Sequence, residues 1–113
     1  DMDRAKKFYC DLFESKGAKV LVDAGRIAMI GTGRGTPMIA VCEPYNKEAS
    51  TPGNGVMVAF TAETKPEVDE FYARAIELGA TCDGPPGQRV PDRFYGAYVR
   101  DFDGNKLCFF KFA

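Results

Sequence analysis

The sequence predicts an α+β fold of two similar βαβββ modules, with mixed sheets side by side and helices packed outside them. Three observations carry that prediction. An amphipathic helical segment occurs twice, three strand-like segments follow each copy, and a stretch rich in Pro, Ser, Thr and Gly separates the halves. The 113 residues fit one domain, read as module one (1–45), a linker (46–54) and module two (55–113).

The first helical segment runs from about Asp3 to Lys16, with Ala5, Phe8, Tyr9, Leu12 and Phe13 on one face and Gly17 placed for a left-handed end. The second opens at Thr64-Lys65-Pro66-Glu67, where Thr64 and Glu67 have capping-box spacing and Pro66 sits harmlessly in the first turn. Val68, Phe71, Tyr72 and Ala75 form its inner stripe, Ile76 and Leu78 flank it, and Gly79 closes it. The copies align: Phe8-Tyr9 returns as Phe71-Tyr72, and Gly17-Ala18 as Gly79-Ala80, at a spacing of about 60 residues.

Strands are expected after the first helix at Lys19–Asp23, Arg26–Ile30 and Pro37–Cys42. After the second they are expected near Ala80–Asp83, at Tyr95–Arg100 and at Lys106–Phe112, the last two joined by a turn at Asp103-Gly104-Asn105. One more strand, Gly55–Thr61, leads into the second helix, its alternation setting Val56, Val58 and Phe60 on one face and Met57, Ala59 and Thr61 on the other. By symmetry the first strand of the first module is absent from this sequence and expected ahead of Asp1. Gly31-Thr32-Gly33-Arg34-Gly35 reads as a hairpin turn and not a phosphate cradle, because a strand follows it instead of a helix.

Composition excludes several function classes. The 15 basic and 16 acidic side chains give a net charge of −1, too little to hold a nucleic acid backbone or an anionic membrane. No apolar run approaches the ~20 residues a membrane-spanning helix needs, and no signal-peptide pattern opens the chain. The four cysteines (Cys10, Cys42, Cys82, Cys108) form no CxxC pair and are expected to be reduced, mostly buried thiols of a cytoplasmic protein. There is no histidine, which removes every Ser-His, Cys-His and His-metal arrangement from the chain's own repertoire. The acidic residues of Glu63–Glu77 read as a solvated helix face, and no carboxylate pair stands out for glycosidase-type acid/base work.

Three segments resemble a known family. Asp1-Met2-Asp3-Arg4-Ala5-Lys6-Lys7-Phe8-Tyr9 is similar to the D-x-x-R-A-x-x-F-Y opening of the first helix in the vicinal-oxygen-chelate superfamily (glyoxalases, bleomycin-resistance proteins and extradiol dioxygenases). The segment from Thr51 through Asn54-Gly55 to Phe60 resembles the approach to that family's fifth strand. Tyr95-Gly96-Ala97-Tyr98-Val99-Arg100-Asp101-Phe102-Asp103-Gly104-Asn105-Lys106 resembles the hairpin of its glyoxalase-like members. The resemblance implies that the paired modules curl into a cup, with a small-molecule site inside, and that the protein is a homodimer. A sheet edge and helix face left uncovered in the first module are expected to be filled by such a partner or by residues ahead of Asp1.

In metal-dependent relatives the resemblance implies His or Glu ligands on four strands. Carried over, these positions fall on Met57, on Cys108, near Ala40 or Cys42, and ahead of Asp1. A thioether and thiols are poor donors for a hard divalent ion, so neither a metal nor another cofactor is expected. The expected function is small-molecule binding in an apolar cup without a metal. The alternative is a glyoxalase-like lyase, isomerase or dioxygenase whose metal ligands come from residues preceding Asp1 or from a partner chain. Strand parity within the implied cup nominates Met38, Met57, Tyr98, Cys108 and Phe110 as lining, with Tyr95 beside them. Arg89 and Arg93, in an expected loop Gly84–Arg93, could close over it as a lid and offer cations to an anionic ligand.

Overall fold

A computed structural model describes residues 1–113. Helix α1 spans Met2–Leu12 and starts at Asp1, whose carboxylate accepts a hydrogen bond from the Arg4 N–H at 3.0 Å. Phe8, Tyr9 and Leu12 are its buried stripe. The expected single helix to Lys16 is two pieces: after Phe13 the chain tightens into a 3₁₀ turn, Glu14–Lys16, and Gly17 ends it at φ 80°.

Three antiparallel strands follow, β1 (Lys19–Asp23), β2 (Ile27–Gly31) and β3 (Met38–Cys42), with β2 in the centre. Ala28 and Ile30 of β2 are buried, and α1 packs on β2 and β3. Met29, paired with Ala40, therefore shares the opposite face with Gly31 and Met38. The glycine-rich 31–36 segment is the hairpin turn that the sequence suggests, held by the Thr36 hydroxyl donating to the Gly33 carbonyl at 2.5 Å.

Contacts divide the chain into two units, Asp1–Ser50 and Thr51–Ala113. The second holds β4 (Val58–Thr61), α2 (Lys65–Glu77), β5 (Thr81–Val90), β6 (Phe94–Arg100) and β7 (Lys106–Lys111). The sheet order is β4-β7-β6-β5, with β4 parallel to β7 and the other pairs antiparallel. Thr64 caps α2 by accepting from the Glu67 N–H at 3.1 Å. Glu67 reaches back to the Glu63 N–H at 3.0 Å, one residue earlier than an ideal capping box. Beneath α2, Val68, Phe71 and Ala75 meet Ala97, Val99, Leu107 and Phe109, all buried. Phe109 lies 6.1 Å from Phe60 and 5.7 Å from Phe71 between ring centres.

Three expectations change here. The strand expected from Gly55 begins at Val58, because Val58 pairs with Leu107 and the preceding turn leaves β7 almost nothing further to pair. The face that alternation gives to Val56, Val58 and Phe60 is the helix side, with Val58 opposite Leu107, yet Val56 and Val58 stay exposed at this edge of the sheet. The expected loop Gly84–Arg93 is mostly strand. Pro85 and Pro86 fit there because β5 is an edge strand and the register to β6 is broken at three places.

The β6–β7 turn is built around Asp101, which is buried. Its carboxylate accepts from the N–H groups of Asp103 (3.0 Å) and Asn105 (2.9 Å) and from the Asn105 side-chain amide (3.0 Å). Gly104 takes φ 84° at the tip, a left-handed conformation that favours glycine.

Candidate functional site

The helix-free face of the four-stranded sheet follows from its register. Because Phe109 and Ala97 are partners under α2, the alternate partners Tyr98–Cys108 and Gly96–Phe110 point the other way, with Arg100–Lys106 beyond them. Ala59 and Thr61 of β4, opposite Cys108 and Phe110, join this face. Cys108 is fully buried beside Tyr98, its partner across the β6–β7 pair. Burial pushes the Cys108 thiol above its usual pKa, while the neighbouring Tyr98 hydroxyl and the charges of Lys106 and Arg89 pull it partly back. Burial likewise raises Tyr98, with the Cys108 thiol adding to the rise and Arg89 opposing it.

The bulges of β5 bring charge to this face. Consecutive β6 residues Val99 and Tyr98 pair with Cys82 and Gly84, so Asp83 is an extra residue; Arg89 is likewise extra between Gln88 and Val90. Asp83 accepts from Arg100 Nε at 3.0 Å and lies 3.4 Å from Lys106 Nζ. Desolvation raises the Asp83 carboxyl, but the bonds and charges of Arg100 and Lys106 outweigh it and hold the group below the usual carboxylate value. The Arg89 guanidinium lies 5.3 Å from the centre of the Tyr98 ring, the Lys106 ammonium 5.2 Å from it. Arg89 also donates to the Pro85 carbonyl. Gly84 makes this packing possible: a Cβ there would stand 2.8 Å from Tyr98 Cδ2 and 3.4 Å from Arg89 Nη2.

Toward the other end of β6, Phe94 lies over Gly96, where a Cβ would be 2.7 Å from its ring, and stacks on Phe110 at 5.3 Å and 9°. Phe112 meets both rings edge-on, at 5.9 and 5.2 Å. An open depression of ≈ 620 Å³ lies beside them, lined by Val90, Asp92, Arg93, Phe94 and Phe112.

Of the nominated residues, the structure thus gathers Tyr98, Cys108, Phe110 and Arg89, and sets Arg93 in the neighbouring depression. Tyr95 goes to the opposite face, where its hydroxyl donates to Asp69 of α2 at 2.6 Å; that bond, and then burial, raises its pKa. Met57 is exposed just ahead of β4, and Met38 is exposed on the three-stranded sheet. Cys42 and Cys82 are exposed, not buried as expected, because each sits on a strand at the edge of its sheet; all four thiols are free. Asp83, Phe94, Lys106 and Phe112 were not nominated by the sequence. Period-two parity from Tyr98 and Cys108 could have found Lys106, but a bulge residue such as Asp83 escapes any periodic rule.

The family resemblance raises the question of a metal. No group of three or more His, Cys, Asp or Glu side chains converges anywhere in the chain. The carried-over ligand positions offer the thioether of exposed Met57 and the protonation-favoured thiol of Cys108, beside cations that would repel an ion. The residues present do not fit a hard divalent metal.

Comparison with known proteins agrees with this fold. A glyoxalase/bleomycin resistance protein from Albidiferax ferrireducens T118 is 34% identical, with a TM-score of 0.84 over 97% of this chain and 88% of that one. A glyoxalase/bleomycin resistance protein/dioxygenase family enzyme from Burkholderia phytofirmans PsJN shares the fold at 22% identity, with a TM-score of 0.81 over 100% of this chain and 91% of that one. A lactoylglutathione lyase from Agrobacterium tumefaciens is 26% identical, with a TM-score of 0.69 over 97% and 84% of the two chains. No curated protein matches significantly. The family model of the Glyoxalase/Bleomycin resistance protein/Dioxygenase superfamily covers residues 1–109, and the chain belongs to that superfamily.

Proposed function

We propose that the chain is a metal-independent small-molecule-binding member of its superfamily, holding its ligand on the helix-free face of the four-stranded sheet. The observation that carries this reading is the Tyr98–Cys108–Phe110 surface: aromatic and apolar side chains with polar tips, edged by Arg89, Lys106 and Arg100 and lacking the donor set of a metal centre. Such a surface binds by stacking and apolar contact, with a few polar groups fixing orientation.

The working form is proposed to be a cytoplasmic homodimer. Four free thiols support the compartment, and exposed Val56, Met57 and Val58 beside the edge strand β4 support a second copy. No helix is long and apolar enough to cross a membrane.

Metal analysis of protein purified without chelator, paired with calorimetric titration of flat aromatic compounds, tests the reading. Metal-free, folded protein that binds such compounds is the expected result. A stoichiometric divalent metal would overturn it and move the chain toward the metal-dependent lyases, isomerases and dioxygenases.

A further inference from the structure

The charges on the candidate face are not balanced. Two cations, Arg100 and Lys106, stand around one carboxylate, Asp83, and a third, Arg89, lies over the Tyr98 ring, in a chain whose net charge is −1. Asp83 already holds two of them, at 3.0 and 3.4 Å. Arg100 is further occupied by donating to the Gly104 carbonyl at 3.0 Å. Arg89 is different: it is exposed, its hydrogen bond goes to a neutral backbone carbonyl, and its remaining contact is the face of Tyr98. It is placed there by a bulge that takes it out of the strand's alternation. Gly84 keeps clear the space that Arg89 and the Tyr98 ring occupy.

Beside this unneutralised guanidinium lies an aromatic floor. Phe110 is on the same face as Tyr98, one pair along the β6–β7 ladder, and Phe94 extends it by stacking on Phe110. A planar fork of N–H donors suits a carboxylate, and the neighbouring rings suit a flat apolar body.

Resting on the small-molecule reading above, we infer that the ligand class is a small aromatic or conjugated carboxylate, its anionic end on Arg89 and its flat body against Tyr98, Phe110 and Phe94. The second cation near the ring, Lys106, adds to the field but shares Asp83, so the assignment of the carboxylate is to Arg89.

The test is calorimetric titration of the full chain with naphthoate and with naphthamide, which keeps the ring system and removes the charge. Naphthoate should bind at least about tenfold tighter, the ratio expected for one charge-assisted contact. In Arg89→Gln, naphthoate affinity should fall to that of naphthamide, whose own affinity should change less than about twofold; Arg89→Lys should retain part of the preference. Inorganic phosphate should displace naphthoate poorly, because it has no apolar body.

Equal binding of the two probes would overturn the anion inference and leave the small-molecule reading standing. Binding of neither would sink that reading and the inference with it. A preference for naphthoate that survives in folded Arg89→Gln would overturn the assignment to Arg89. Should Arg89→Gln fail to fold, Arg89→Lys decides: full naphthoate affinity there would overturn the requirement for the guanidinium fork. Phosphate competing as well as naphthoate would overturn the flat organic body.

Discussion

Replacing Phe109 by alanine should strike the fold where it supports the candidate face. Phe109 is fully buried, centred under α2 and packed on the rings of Phe60 and Phe71 at 6.1 and 5.7 Å. Its strand neighbours Cys108 and Phe110 point to the other side, so the ring anchors the strand that carries them. Truncating a buried phenylalanine costs about 3–5 kcal/mol, a total that includes roughly 0.5–1.5 kcal/mol for each ring pair lost. Against a typical stability of about 5–15 kcal/mol, that is a large fraction. With a urea slope of about 1–2 kcal/mol/M for a chain of this size, the midpoint followed by far-UV circular dichroism should fall by about 1.5 M or more. Phe112→Ala is the matched control, since Phe112 is 73% exposed and should cost less than about 1 kcal/mol. A Phe109→Ala loss below about 1 kcal/mol, or equal to that of the control, would refute the core assignment.

Three other perturbations follow from the same geometry. Gly84→Ala would set a Cβ 2.8 Å from Tyr98 Cδ2; it should cost about 1–3 kcal/mol in thermal or urea unfolding and weaken naphthoate binding by moving the ring and Arg89. Asp101→Ala removes the acceptor of three N–H bonds at the β6–β7 turn and leaves two backbone donors unpaired, so it should destabilise by about 2–4 kcal/mol, with Asp101→Asn milder. The Asp23 carboxyl is held below its usual value by the Gly25 N–H and then by Lys6. A depressed carboxylate stabilises the fold fully above its ordinary pKa and loses that contribution as pH falls through the folded value. Asp23→Asn should therefore flatten the decline of Tm below about pH 4, and an unchanged decline would argue that Asp23 is not among its causes.

Much of the fold was legible because it rests on local rules. The stripe Phe8-Tyr9-Leu12, the Thr64 cap and the Asp103-Gly104-Asn105 turn each involve residues within a few positions of one another, where propensity and hydrogen-bonding geometry act directly. Parity on β6 and β7 was legible for the same reason: a strand's two faces alternate strictly, so Tyr98, Cys108 and Phe110 could be assigned together against Ala97, Val99 and Phe109.

Residues whose position depends on a partner were not legible. Pro85 and Pro86 read as loop because proline breaks a central ladder, and only the edge position of β5 lets them stay in a strand. Val58 lies on the helix-side face that alternation implies, but it stays exposed on the edge strand, because burial needs a covering element as well as a face. Tyr95 was nominated beside the site although its parity is that of Ala97 and Val99, and its hydroxyl donates to Asp69, 26 residues earlier. Asp83 and Arg89 face the candidate site through register breaks against β6, which no single strand's pattern can announce. The sequence by itself determined the two faces of the central strands, because these depend on short-range periodicity, and its motif segments carried the resemblance to the family. Tertiary pairing alone brought Asp83 and Arg89 to this face, because a bulge is a property of two strands together and not of either one.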